Sequence, residues 1–220
     1  MKTFVLAIAS LVLAASAHAD LLTLSPSNPA VKISGVTVSS SAKSSSGASL
    51  TTVGAALRKK QVILASDIYV GEVLVSDSSR YVKTVAGALP SLENEDQVAL
   101  VLHIVYPFVP TSLLVSDLNS QASQNGITSD DADYAAFSSL VKSYSYRSGT
   151  VFTILFSRNA DGSQTMTLEN KNSDGSIAPN PAGVQNPVTV SAQGKHKILS
   201  LWLGNTNDSY LKTFQTDLMK

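Results

Sequence analysis

Nucleophilic and metal chemistry find few side chains to work with in this chain. It has no cysteine, and of its three histidines only His103 and His196 lie beyond the first nineteen residues. Thiolate ligands and cysteine nucleophiles are therefore excluded, and two histidines so far apart do not form a histidine zinc site. No metal and no cofactor is expected. No Gly-x-Ser-x-Gly elbow occurs, so a Ser-His-Asp hydrolase has little support. His103 lies in an apolar run with no acidic partner in view and reads as structural, while His196, between Lys195 and Lys197, reads as exposed. Asp130, Asp131 and Asp133 hint at a cation site but lack the glycine and distal glutamate of a calcium loop. They suit the cap and first turn of a helix better, where acids meet the positive end of the dipole. Arg58 belongs to the basic run Arg58-Lys59-Lys60, and Tyr69 to an apolar stretch. Taken locally, the first reads as part of a solvated turn and the second as a core residue with a bonded hydroxyl.

The elements that must position these residues are mostly strands. Gln61 to Val75 is rich in Val, Ile, Leu and Tyr and reads as one or two strands. Gln97 to Tyr106 is apolar with few polar interruptions and stops at Pro107, which predicts a largely buried strand. Thr111 to Gln124 has Leu113, Leu114 and Leu118 at helical spacing, with Thr111 or Ser112 able to cap and Asn125-Gly126 able to terminate. A second helix runs from the acidic cluster to about Lys142, with Tyr134, Phe137, Leu140 and Val141 on one face. Thr150 to Ser157 and Thr165 to Glu169 alternate and are joined through Asp161-Gly162, as in a hairpin. Val188 to Val190 follows a polar stretch. His196 to Leu203, with Trp202 as a core anchor and Gly204 ending the segment in a left-handed conformation, precedes a last helix around Ser209 to Leu218. Asn207-Asp208-Ser209 reads as a turn with an N-cap. Strands, two helices, two strands and further helices argue for an α+β fold, an antiparallel sheet covered on one face.

The beginning of the chain has a different character. Lys2, an apolar run from Phe4 to Ala15, and Ala17-His18-Ala19 before Asp20 form the three parts of a secretory signal. The apolar run is short of the ~20 residues that cross a bilayer, so cleavage after Ala19 and a periplasmic or secreted location are expected. Residues 20–49, with Pro26, Pro29 and the Ser-rich tract from Ser39 to Ser49, read as an N-terminal strand and a loop or flexible strand edge. Sixteen basic residues balance sixteen acidic ones and are interspersed, so there is no clustered basic face for nucleic acid.

Three landmarks recur in order: Gly54-Ala55-Ala56-Leu57-Arg58-Lys59-Lys60 before a strand with Ile68-Tyr69-Val70-Gly71, the Asp161-Gly162-Ser163 hairpin, and Leu201-Trp202-Leu203-Gly204 before a closing helix with Tyr210-Leu211-Lys212. From about Leu50 onward the chain resembles the chalcone isomerase-like family, specifically its exported bacterial members. The resemblance implies a domain over residues 50–220 built as an open-faced sandwich, with a large antiparallel sheet, a layer of helices, and a ligand cleft between them.

In the plant enzymes of that family an arginine and a threonine polarise the ketone of a flavonoid precursor. Arg58 resembles the arginine position, and the threonine position falls near Tyr69. A further polar position corresponds to Lys195. Tyrosine, lysine and asparagine are expected on the helix after the central strand, but the sequence there is Thr111-Ser112-Leu113-Leu114-Val115-Ser116-Asp117-Leu118. The catalytic set is thus largely missing. Arg58 with Tyr69 is closer to the fatty-acid-binding branch, in which an arginine and a tyrosine hold a carboxylate. A guanidinium can grip a carboxylate through two charge-assisted hydrogen bonds, and apolar walls strengthen them. The resemblance therefore implies a small amphipathic or lipid-like ligand held by Arg58, Tyr69 and Lys195. Two alternatives stay open: an intramolecular lyase of the chalcone isomerase type, with Arg58 and Tyr69 catalytic, and a non-catalytic envelope-associated protein with a packed cleft.

Overall fold

A computed structural model describes residues 20–61, 65–180 and 182–220. The expected signal segment, residues 1–19, lies outside the described residues. In chain order the elements are β1 (Leu22–Pro26), β2 (Lys32–Ile33), β3 (Val36–Thr37), β4 (Ser39–Ser44), β5 (Ser49–Gln61), β6 (Ala65–Val75), α1 (Val85–Glu93), β7 (Gln97–Ile104), β8 (Phe108–Val109), α2 (Thr111–Gln124), α3 (Ala132–Lys142), β9 (Tyr146–Arg147), β10 (Val151–Arg158), β11 (Gln164–Lys171), β12 (Val188–Val190), α4 (Gly194–Leu203) and α5 (Ser209–Leu218). No helix among the described residues is long and apolar enough to cross a membrane.

Eight strands form one sheet in the order β1-β4-β5-β6-β7-β10-β11-β12, every pair antiparallel. The α+β class and the antiparallel sheet with helices on one face are as the sequence predicts. β7, at the centre, is buried on both faces from Val98 to Leu102, which is why its sequence shows an apolar run in place of alternation. Toward the helices, Val73, Leu100, Ile154 and Phe156 pack in one large core with Phe137, Trp202 and Phe214. On the outer face a smaller cluster gathers Leu21, Leu22, Leu50, Leu74, Val101 and Leu155.

That second cluster exists because the sheet curls. β1 and β11 stand six places apart in the sheet, a separation of about 29 Å if it were flat. Yet the Leu21 N–H donates to Glu169 Oε2 at 2.8 Å and Lys171 Nζ lies 2.8 Å from Asp20 Oδ2. The N-terminal strands are thus carried across the outer face to the far side of the sheet.

Several expectations need correction. The Ser-rich tract is not a loop or a free edge. Ser39–Ser44 is an internal strand with β1 on one side and β5 on the other, because pairing with both neighbours supplies the backbone bonds that serine side chains would otherwise make. Helix α1 was not anticipated: it is short, contains Pro90 and is capped by the Thr84 side chain, which accepts from the Gly87 N–H. The cap of α2 is neither Thr111 nor Ser112 but Pro110, without a side-chain bond; Thr111 Oγ1 donates instead to the Tyr144 carbonyl. Gly204 is extended, with φ −89° and ψ −160°. A side chain is excluded there by crowding, since a Cβ would lie 2.6 Å from the Ser200 carbonyl oxygen. His103 does have an acidic partner, Glu72 Oε1 at 3.0 Å from its Nε2. Val70 faces His103 and Glu72 faces Val101 on β6 and β7, so Glu72 and His103 are diagonal neighbours, a relation that strand pairing creates and sequence proximity does not show.

Candidate functional site

Arg58 and Tyr69 are direct cross-strand partners on β5 and β6, both on the helix-covered face. Both are buried, at 2% and 7% exposure, so Arg58 does not belong to a solvated turn. Two glycines on the same face let α5 approach closely: a Cβ at Gly54 would collide with the Leu218 carbonyl oxygen, and one at Gly71 would lie 2.7 Å from the Phe214 ring. The Tyr69 ring meets Phe214 edge-on at 5.9 Å. Its hydroxyl accepts from Trp202 Nε1 at 2.9 Å. Burial pushes the Tyr69 pKa up to about 12, against the opposing pull of the Arg58 charge, so the phenol keeps its proton and remains a donor.

The Arg58 guanidinium is engaged by its own chain through Nη1 and Nη2. Nη2 donates to Asp208 Oδ2 at 2.6 Å and Nη1 to the Lys59 carbonyl at 2.6 Å. Asp117 Oδ2 is 3.7 Å away, and Asp117 also pairs with Lys60. Burial disfavours the charge, but Tyr69, Asp208 and Asp117 outweigh it and hold Arg58 above its ordinary pKa. Asp208 caps α5, with Oδ1 accepting from the Tyr210 and Leu211 N–H groups. Its N-cap role was legible in the sequence, but its pairing with Arg58, 150 residues away, was not. Asp117 was missed altogether as part of this site.

Beyond Tyr69 lies an apolar space between sheet and helices. Ile68, Leu102, Ile104 and Phe152 form its sheet side; Leu114 and Leu118 of α2, Phe137 and Val141 of α3, and Trp202 of α4 form the other. The open volume is about 20 Å³, room for roughly one water. The side chains that wall the cleft therefore nearly fill it.

Lys195 is not brought to this site. Its Nζ donates to the Glu95 carbonyl at 2.7 Å, at the opposite end of β7 from Ile104, which pairs with Tyr69. Eight residues of strand separate the two places by roughly 25 Å. Burial and the nearby Arg158 charge lower the Lys195 pKa to about 8, against the pull of Glu95, Asp96 and Glu93. The acidic cluster acts as a cap and a tie: Asp131 accepts from the Asp133 and Tyr134 N–H groups, Asp133 accepts from Ser191, and Lys197 pairs with both acids. Among the described residues no group of three His, Asp or Glu side chains is arranged to hold a metal ion.

No protein-family model matches the chain, and no curated protein does. Among solved structures, the crystal structure of an Arabidopsis thaliana fatty-acid binding protein is similar, with a TM-score of 0.56 and 16% sequence identity over 86% of this chain and 95% of that one. At that identity the likeness speaks for the fold, which is chalcone isomerase-like.

Proposed function

We propose that the protein is a periplasmic binding protein for a small amphipathic molecule, a fatty acid in the first instance, taken up between the sheet and α2 and α3. The observation that carries this reading is an apolar space lined by Tyr69, whose cross-strand partner is Arg58. The fold shared with a fatty-acid binding protein supports it. A chain-length ligand needs far more than 20 Å³, so α2 must swing outward to admit it. Its N-terminal half is suited to that. From Thr111 to Asp117 no residue is buried, and its buried residues are Leu118, Gln121 and Ala122. Segments with few buried contacts open at low cost. The ligand carboxylate would take the place of Asp208 or Asp117 on Arg58. That competition lowers the apparent affinity below what an empty arginine would give.

A second reading is favoured by the same small cavity and by the neutralised arginine: a packed, ligand-free cleft in an envelope-associated protein. Native mass spectrometry of protein purified from periplasm, followed by solvent extraction, separates the two. The binding reading expects a co-purifying acid that is lost in Arg58→Met and reduced in Tyr69→Phe, both still folded by thermal melt. An empty wild type that also takes up no added fatty acid would leave the packed reading.

A further inference from the structure

A cavity of about 930 Å³ opens on the outer face of the sheet, away from the apolar cleft. Thr167 and Glu169 line it from β11, Asp20 and Leu21 from the start of the described chain, and Ile177 and Asn180 from the loop after β11. Thr167 and Glu169 are two apart on one strand and share a face.

The charges around this cavity do not balance. The Asp20 carboxylate is paired with Lys171 at 2.8 Å. Glu169 is 8% exposed and its Oε2 accepts from the Leu21 N–H, while Oε1 is not among the buried atoms that lack a hydrogen bond and is accessible from the cavity. Burial raises its pKa, against the pull of the Leu21 N–H and the Lys171 charge. A largely buried carboxylate that reaches an open cavity through one oxygen presents that oxygen to water or to a cation.

We propose that the Glu169 cavity is a site for a primary ammonium group. An ammonium offers three donors. Glu169 Oε1 and the Thr167 hydroxyl are acceptors on one face, and Leu21 and Ile177 offer apolar surface to an attached alkyl portion. The group could come from a free amine or from the chain itself, since cleavage after Ala19 would create an α-ammonium on Asp20, one residue from the Leu21 N–H that already holds Glu169.

The test titrates n-butylammonium and n-butanol, followed by NMR, into the full chain and into a chain beginning at Asp20, which keeps every described element. Binding of butylammonium but not butanol to both chains supports a free-amine site. Binding to the full chain alone, with the Asp20 amine titrating above its ordinary ~7.7–8.0, supports occupation by the terminus. In either case Glu169→Gln, which can still accept from Leu21, should weaken binding roughly tenfold or more or return the terminal amine to its ordinary pKa. Thr167→Val should weaken it less. Equal binding of amine and alcohol, or no effect of Glu169→Gln in a protein that still melts cooperatively, overturns the proposal.

Discussion

Arg58 and Tyr69 face each other across β5 and β6, and the register of the two strands shifts immediately after Arg58. The Arg58 guanidinium is drawn to Asp208 at the cap of α5 and to the Lys59 carbonyl, the next residue of its own strand. The pair thus joins the sheet to the last helix on one side and to Trp202 on the other.

Asp208 should be worth more than an ordinary cap. Asp208→Ala removes two bonds to the α5 N-terminus and leaves the buried Arg58 guanidinium with a distant Asp117, at an expected cost of about 2–4 kcal/mol. Asp208→Asn keeps the cap but not the charge and should cost less. Burial alone would raise the Asp208 pKa, but Arg58 overcomes it and the pKa is lowered. A depressed carboxylate stabilises above its unfolded value near ~3.9, and that stabilisation is lost as pH falls through the folded value. Urea titrations between neutral pH and acid should show this loss in the wild type and its absence in Asp208→Asn. Equal slopes in both proteins would refute the pairing.

Gly54 and Gly71 are required by the close approach of α5. Gly54→Ala places a methyl group against the backbone of Leu218, which cannot turn away, whereas Gly71→Ala meets the Phe214 ring. Both should destabilise by about 1–3 kcal/mol, with Gly54→Ala the more severe. Urea midpoints at constant slope check the order, and a reversed order would mean that α5 yields more readily than Phe214.

Lys195 gives a pH dependence of the same sign as Asp208, in an alkaline window. Its folded pKa is lowered to about 8 by burial, against about 10.4 in an unfolded chain. Between those values the unfolded chain binds more protons, so stability rises with pH across that window. Above ~10 the buried tyrosines work the other way, because Tyr69 and Tyr134 hold their protons to about 12 while the unfolded chain has lost them. Lys195→Met should flatten the rise between pH 8 and 10 and leave the protein more stable at pH 7 by a few kcal/mol. A wild type with no rise in that window would show that Lys195 is charged at little cost.

Much of the fold could be read from the chain because periodicity and turn residues are local. The bounds of α2 come from Leu113, Leu114 and Leu118 and from Asn125-Gly126, and the β10–β11 hairpin from Asp161-Gly162. What stayed hidden depends on partners distant in sequence. Ser39–Ser44 looks like a loop until β1 and β5 flank it, and His103 looks unpartnered until strand pairing brings Glu72 beside it. The same holds at the candidate site. Arg58 and Tyr69 were found through resemblance, but the carboxylates that neutralise the arginine sit on α2 and before α5, and no spacing rule links residues 58, 117 and 208.

Asp117 is the group on which opening of the cleft should depend. It pairs with Lys60 and lies 3.7 Å from Arg58, and it stands at the end of the half of α2 that has no fully buried residue. Leu114 and Leu118 flank it on the cavity wall, so lifting this turn from β5 withdraws both leucines together. A partly exposed pair contributes about 1 kcal/mol, which corresponds to roughly a fivefold shift in an opening equilibrium. Asp117→Asn should therefore speed amide exchange from Leu114 to Leu118 about fivefold and leave β7, at the centre of the sheet, unchanged. A fluorescent fatty acid should also bind more tightly, because one competitor for Arg58 has gone and the open form is more populated. Faster exchange without tighter binding would separate helix motion from ligand uptake, and the binding proposal would lose its route of access. If neither changes, α2 is held by Leu118, Gln121 and Ala122 alone, and the ion pairs at Asp117 have no part in gating the cleft.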